Sequence, residues 1–206
     1  ILILSLLVFS CSDNTREEII ERYENGRIRS ERNYKDGELD GKFIEYYEDG
    51  QIKIERNFKG GEEDGKMTWF DYNGQIYEQG NYKDGKKDGK WVWYSGYMNN
   101  SEQNYKDGIL EGKSTWYYKK DGQISYQGNY KEGRREGKWT QFFENGQISN
   151  KENYKGGRRE GKWTHFHKNG QISSEHNYKD GDEYGKSTWY YENGQIEKEQ
   201  YSIDGR

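Results

Sequence analysis

Hydrophobic and polar positions alternate along most of the chain, and the alternation recurs with a period of about 24 residues. The clearest copy is 137–160, GKWTQFFENGQISNKENYKGGRRE. Such a fixed period is typical of a repeat array. We number positions within each repeat from 0 at its first residue. A weaker copy begins at Glu17, and a Gly-Lys pair opens the seven full copies at Gly41, Gly65, Gly89, Gly112, Gly137, Gly161 and Gly185.

Each repeat predicts one β-hairpin. Positions 1–7 are rich in Thr, Trp, Phe and Tyr, which favour strands, and positions 8 and 9 are mostly Asn-Gly or Asp-Gly. That pair predicts a two-residue type I′ turn, in which both residues have positive φ. Positions 10–18 form the return strand, and a second, longer turn leads to the next glycine. The sequence thus predicts an all-β, elongated, single-layer antiparallel meander of about eight hairpins, 17–40, 41–64, 65–88, 89–111, 112–136, 137–160, 161–184 and 185–206.

The predicted register gives the sheet one aromatic face. Because side chains alternate along a strand, positions 2, 4, 6, 11, 13, 15 and 17 share that face. The opposite face receives the lysine of position 1 and solvated carboxylates, for which we take Glu152, Glu175 and Glu199 as examples. The aromatic face collects all seven tryptophans, Trp69, Trp91, Trp93, Trp116, Trp139, Trp163 and Trp189.

Composition agrees with a thin aromatic core. Aliphatic residues are few, but aromatic residues make up 17% of the chain, and disordered chains are poor in them. The net charge of −4 gives no reason to expect nucleic acid as a partner.

The first ten residues differ from all that follows. Ile1–Ser10 is apolar and uncharged, too short for a membrane span of about 20 residues, and fits the apolar region of a secretory signal. It lacks a Met and a basic segment, so we expect the sequence to be truncated at its start. Cys11, the only cysteine, follows Leu-Val-Phe-Ser, which resembles a bacterial lipobox. The resemblance implies a signal in 1–10, lipid on Cys11 and a tether in 11–16; the alternative is a buried strand and an incidental thiol.

The repeat G-K-W-x-x-Y-x-x-N-G-Q-I-x-x-E-x-N-Y-K-D-G across 17–206 resembles the variant MORN repeat family. Bacterial members of that family are commonly labelled YwqK-type antitoxins of toxin–antitoxin systems, and better-studied MORN proteins are similar to scaffolds that join membranes to protein partners. The resemblance implies an array of β-hairpins that acts by binding.

Candidate chemistry is sparse. The sequence has neither a phosphate-binding loop nor a nucleophile placed with a base, so we expect no enzymatic activity and no cofactor. His165, His167 and His176 all fall in one repeat and on the predicted aromatic face. Three converging imidazoles could hold zinc. The favoured alternative is that these flat rings replace Trp and Phe in the core, with no metal.

The connecting turns differ most between repeats, and consecutive turns should stack about 10 Å apart. Two of them carry Arg134-Arg135 and Arg158-Arg159, which predict a basic patch with Phe142 and Phe166 beside it. Such a patch suits an acidic protein or an anionic envelope ligand. The alternative is that these turns are simply solvated and free to vary.

Two functions fit these observations. The first is a non-catalytic interaction scaffold, anchored by lipid in the bacterial cell envelope. Ser12 after Cys11 favours the outer membrane or cell surface over the inner membrane. The second is an antitoxin or immunity protein that binds and blocks a cognate toxin.

The lipobox resemblance leads to the first prediction. Cys11→Ser should release the full-length protein into the soluble fraction and abolish incorporation of a fatty-acid label, whereas Ser12→Ala should change neither. A Cys11→Ser protein that stays in the membrane, together with an unlabelled wild type, would rule out acylation at Cys11.

Overall fold

The computed structural model describes residues 5–9, 16–94 and 100–203, with side chains described from residue 16 onward. This part of the chain forms twenty β-strands, and the all-β class is confirmed. No helix in it is long and apolar enough to cross a membrane. The chain divides into two compact units, Ile1–Tyr94 with Tyr105–Gly108, and Ser95–Asn104 with Ile109–Arg206.

Strands in the first unit pair antiparallel with their neighbours in sequence, as the meander predicts. The short β6 and the following β7 both pair with β5. The strands are β1 (Ser5–Phe9), β2 (Arg16–Arg22), β3 (Ile28–Lys35), β4 (Glu38–Tyr46), β5 (Ile52–Lys59), β6 (Glu62–Glu63), β7 (Gly65–Phe70), β8 (Ile76–Lys83) and β9 (Lys86–Trp93).

The second unit repeats this pattern. The residues of β10 (Ser101–Lys106) fall in both units. The strands that follow are β11 (Ile109–Tyr117), β12 (Ile124–Lys131), β13 (Arg134–Phe142), β14 (Ile148–Lys155), β15 (Arg158–Arg159), β16 (Gly161–Phe166), β17 (Ile172–Lys179), β18 (Asp182–Glu183), β19 (Gly185–Tyr190) and β20 (Ile196–Ser202).

The Asn-Gly turn is not the predicted two-residue type I′ turn. In the repeat that opens at Gly137, the Gly146 N–H donates to the Phe143 carbonyl at 2.9 Å and the Phe143 N–H to the Gln147 carbonyl at 2.8 Å. Only Gly146 has a positive φ, of 80°. These features define a three-residue loop, a type I turn followed by a left-handed glycine. Asn145 is favoured because its side-chain oxygen accepts the Gln147 N–H at 3.0 Å.

The predicted register is nevertheless confirmed beyond the turn. Trp139 pairs with Glu152 and Gln141 with Asn150, as expected, although Phe142 pairs with Ile148. The three-residue loop moves the pairing by one residue, and a bulge between Gln141 and Phe142 moves it back. The error in the turn therefore leaves the two faces of the sheet unchanged.

The type I′ turn lies at the other end of the hairpin, where we predicted a longer turn. Gly156 and Gly157 have φ of 55° and 85°, and Lys155 pairs directly with Arg158. Position 19 is usually Asp or Glu, and these are the non-glycine residues with positive φ in the described part of the chain: Asp36, Asp84, Asp107, Glu132 and Asp180. The predicted longer turn was wrong because the two residues that follow Gly157, Arg158 and Arg159, already pair as a strand.

A second bulge explains the Gly-Lys pair that opens each repeat. Gly161 has a φ of 67°, and two extra residues separate the Tyr154–Arg159 pair from the Lys151–Thr164 pair. The Asn of position 16 closes this bulge by donating its side-chain N–H to the carbonyl of the position-1 lysine. The bonds are Asn33 to Lys42 at 2.7 Å, Asn57 to Lys66 at 2.7 Å, Asn104 to Lys113 at 2.6 Å and Asn177 to Lys186 at 3.0 Å.

Hydrogen bonds also join each type I′ turn to the preceding repeat. The Gly157 N–H donates to the Arg135 carbonyl at 2.9 Å, and the Gly156 N–H to the Glu136 carboxylate at 2.7 Å. The carboxylate bond recurs between Glu132 and Glu111 and between Asp180 and Glu160. The acid that precedes the Gly-Lys pair is therefore a cap for the next turn.

At the other end of the hairpin, the tyrosine of position 6 makes an equivalent link. The Tyr47 hydroxyl donates to the Phe70 carbonyl at 2.7 Å, and the Tyr118 hydroxyl to the Phe142 carbonyl at 2.5 Å. Tyr23 bonds Tyr46 in the same way. The repeats that contain these tyrosines are thus tied to the next repeat at both ends of their strands.

The predicted aromatic face is present in both units. Trp91 and Trp139 have no exposed surface, because each ring lies directly on a glycine of the neighbouring strand. A Cβ built on Gly80 or Gly128 would lie 2.2 or 2.0 Å from the ring. One carboxylate was misassigned: Glu152 lies on the aromatic face, opposite Trp139, and accepts a hydrogen bond from Tyr126 at 2.8 Å.

The contact between Trp139 and Gly128 leads to the second prediction. Gly128→Ala should lower the free energy of unfolding by about 1–3 kcal/mol, because the added methyl group overlaps the indole ring. Adding Trp139→Leu should make the Gly128→Ala change much less costly, which a double-mutant cycle of denaturant melts would measure. Equal cost of Gly128→Ala in both backgrounds would mean that the ring does not impose the glycine.

Candidate functional site

The four arginines of the predicted patch lie in two environments. Arg134 and Arg158 are exposed and begin β13 and β15, directly after type I′ turns. Each lies across the turn of the following repeat: a Cβ on Gly157 would be 3.5 Å from the Arg134 Cβ, and one on Gly181 would be 3.8 Å from the Arg158 Cβ. These two guanidinium groups belong to the turn surface.

Arg135 instead lies on the aromatic face. Its guanidinium carbon is 4.6 Å from the Trp139 ring centroid and 5.2 Å from the centroids of Tyr126 and Tyr154. Its Nη1 donates to both tyrosine hydroxyls at 2.9 Å. Arg159 also lies over aromatic rings, 4.8 Å from Trp163 and 5.0 Å from the Tyr178 centroid, although its side chain, unlike that of Arg135, is exposed. Consecutive arginines therefore point to opposite faces, as alternation requires.

Glu152 completes the cluster around Arg135. The Tyr126 and Tyr154 hydroxyls donate to its carboxylate at 2.8 and 3.1 Å. Burial, and then the bond to Glu152, raise the pKa of Tyr126. Burial and the charge of Glu152 also raise the pKa of Tyr154, despite the nearby Arg135. The charges compensate each other within the cluster, so its role is to stabilise the fold.

Phe142 and Phe166 do not lie beside the arginines as predicted. They are half-buried and end β13 and β16, whereas Arg134 begins β13 and Arg158 begins β15. Eight residues of extended chain between Arg134 and Phe142 span more than about 20 Å. The expectation that these phenylalanines flank the arginines is wrong, because both the arginines and the aromatics occur at fixed but opposite ends of the hairpin.

The three histidines do not converge. The rings of His165 and His176 are 5.8 Å apart, but His167 replaces the tyrosine of position 6 and donates its Nε2 proton to the Tyr190 carbonyl at 2.8 Å. His176 bonds Glu183 at 3.1 Å and Ser174 at 3.1 Å. No group of three or more His, Cys, Asp or Glu among the described residues could hold a metal ion. Their contacts are those of core rings.

The candidate lipidation site lies outside the described residues. The backbone of Ser5–Phe9 forms β1, which pairs with β2, for example Leu7 with Glu18. Cys11 itself is among the residues that are not described. Acylation of Cys11 and removal of residues 1–10 therefore stay predictions.

One feature was missed in the sequence. A groove of about 510 Å³ lies in the second unit and includes Gln141, Asn150 and His165. Position 4 is Trp in the repeats that open at Gly65, Gly89, Gly112 and Gly185. In the repeats that open at Gly137 and Gly161 it is Gln141 and His165 instead. The loss of two adjacent tryptophans was visible in the sequence and marks the place where the aromatic row is interrupted.

The two arginine environments lead to the third prediction. Arg135→Ala should lower the free energy of unfolding by about 1–3 kcal/mol, because it removes ring contacts and leaves the Glu152 cluster without its cation. Arg134→Ala, one residue away, should change it by less than about 0.5 kcal/mol. Thermal melts of both variants test the difference, and equal effects would contradict the assignment of Arg135 to the aromatic face.

The repeats match a family model described as "MORN repeat variant". Six segments match, and together they cover more than half of the chain: 18–36, 39–59, 63–84, 135–155, 159–180 and 183–204. The span between the third and fourth segments contains the irregular repeats at Gly89 and Gly112, whose strands nevertheless follow the same pattern. No curated protein matches the chain. The geometry and these six matches show that the chain belongs to the MORN repeat variant family.

Proposed function

We propose that this protein is a non-catalytic interaction scaffold, anchored in the bacterial cell envelope by lipid on Cys11. MORN repeats are generally non-catalytic modules, and they suggest a scaffold that acts through its repeats. The partner is an acidic protein or an anionic envelope ligand. It contacts the turn surface formed by Lys131, Arg134, Lys155 and Arg158, which we call the basic turn pair.

The basic turn pair is the observation that supports this proposal most directly. All four side chains are exposed and belong to two consecutive type I′ turns. The turn Lys155-Gly156-Gly157-Arg158 contains two cations and no acid, unlike the corresponding Lys179-Asp180-Gly181-Asp182 of the next repeat.

The turns also hold these cations in place. The N–H groups of Gly156 and Gly157 are both bonded to the preceding repeat, so the turn backbone is ordered before any partner binds. A surface that is already ordered loses less conformational entropy on association. Arg135 and Arg159 are left out of the binding surface because they pack on tryptophans.

The test is capture of partners from isolated envelopes by the full-length protein. Arg134→Glu with Arg158→Glu should abolish retention of the partner, whereas the control, Lys59→Glu with Lys83→Glu, makes the same two charge reversals at exposed turn ends in the first unit and should not. Retention should also weaken with salt, because exposed charges are screened within about 10 Å at 0.1 M.

Three results would change the proposal. Equal retention by both double variants would exclude the basic turn pair as the binding surface. Retention that is indifferent to salt would exclude an electrostatic contact. Recovery of a toxin whose activity the protein blocks would favour the antitoxin or immunity function instead.

A further inference from the structure

The groove in the second unit is where two repeats depart from the aromatic pattern. Gln141 and His165 stand at the tryptophan position, between Trp116 on one side and Trp189 on the other. The opening is flanked by the rings of Tyr118 and Phe143. Replacing two large rings by shorter polar side chains leaves a recess with an aromatic border. The groove is separate from the basic turn pair.

One buried polar atom in this recess lacks a hydrogen-bond partner. Ser149 is 6% exposed and lines the groove, yet its hydroxyl has no hydrogen-bond partner. An unpaired buried hydroxyl is costly and unusual in a folded protein. The hydroxyl is positioned to gain a bond from a ligand in the groove.

The Phe166 carbonyl lacks the tyrosine donor that the corresponding carbonyl of the preceding repeat has. In the preceding pair of repeats, the hydroxyl of Tyr118 donates to the Phe142 carbonyl across the repeat boundary. The residue equivalent to Tyr118 in the next repeat is Phe143, which has no hydroxyl to donate to the Phe166 carbonyl. Both phenylalanines line the groove. A ligand hydroxyl could therefore supply the donor that Phe143 lacks.

The remaining polar side chains are held in fixed orientations. The Asn150 amide N–H donates to the Gln141 oxygen at 2.7 Å, and the Asn150 oxygen accepts from His165 Nδ1 at 2.9 Å. The His165 proton is thus on Nδ1, and the neutral ring presents Nε2 as an acceptor. Burial, together with the nearby His176, lowers the pKa of His165 and keeps the ring neutral. The groove offers amide, imidazole and hydroxyl groups in a preset arrangement.

The lining contains no Asp, Glu, Lys or Arg. A groove that binds an anion or a cation would leave that charge without a counter-charge in contact with it. Aromatic borders with a few fixed polar groups suit a ligand that has both apolar faces and many hydroxyls. Pyranose sugars have this combination, since their C–H faces pack on rings and their hydroxyls both donate and accept.

We propose that this groove binds a neutral saccharide, whose hydroxyls bond Ser149, Asn150, His165 and the Phe166 carbonyl while a sugar ring packs on the flanking aromatic side chains. This binding site goes beyond the scaffold function, because it requires neither the basic turn pair nor a lipid anchor.

The experiment is calorimetric titration of the full-length protein with three neutral tetrasaccharides: chitotetraose, cellotetraose and maltotetraose. At least one should bind. Ser149→Ala should weaken that binding by about two- to tenfold, which corresponds to one lost hydrogen bond between neutral groups. Ser114→Ala is the matched control, because its hydroxyl is also buried and unpaired but does not line this groove. It should leave the affinity unchanged.

Two further variants separate loss of binding from loss of folding. Gln141→Trp with His165→Trp restores the residue of the repeats that open at Gly65, Gly89, Gly112 and Gly185, so it should fill the groove and abolish binding without unfolding the sheet. Phe143→Tyr should weaken binding by giving the Phe166 carbonyl an internal donor. Failure of all three neutral sugars to bind, binding of tetragalacturonate alone, or affinity that is unchanged by Ser149→Ala and by the double tryptophan variant would overturn the proposal.

Discussion

The sheet depends on keeping one register through two turns of unequal length. A slip of one residue would turn every side chain of a strand to the other face. The repeat avoids this slip with two bulges. One follows the three-residue Asn-Gly loop, and the other is formed by the opening glycine and closed by the Asn of position 16. The residues that are most constant among the repeats are thus those that set the backbone, and the aromatic face follows from them.

The aromatic face is stabilised by contacts between its rings and long cationic side chains. Tryptophan rings supply the buried area, and long cations cover them: Lys87 lies 3.8 Å from the Trp91 centroid, and Arg135 lies 4.6 Å from that of Trp139. These side chains exclude water with their stems and keep their charged groups near solvent. Where position 22 is acidic instead, the facing residue of position 15 is basic, as in Arg56–Glu63 at 3.2 Å.

The sequence predicted the fold, the period and the aromatic face, but not the turn types. Asn-Gly favours a type I′ turn in isolation, and here the bond between the Asn145 side chain and the Gln147 N–H favours a longer loop. The site was predicted less well. Once 158–159 is recognised as strand, alternation separates Arg134 from Arg135 and Arg158 from Arg159. The same assignment also predicts that Arg134 and Phe142 lie at opposite ends of one strand.

Departures from the repeat carry more information about function than the repeat itself. A Gly, Asn or Tyr that recurs is accounted for by a bulge, a turn or a link to the next repeat. Arg158, Gln141, His165 and Phe143 are not accounted for in this way, and Phe143 even gives up a link that Tyr118 makes. All four occur in two adjacent repeats of one unit, at the turns on one side and in the groove on the other. Because the backbone bonds of these two repeats are retained, their side chains were free to change without loss of the fold, and their exposed polar groups are therefore the part of the chain where binding is to be sought.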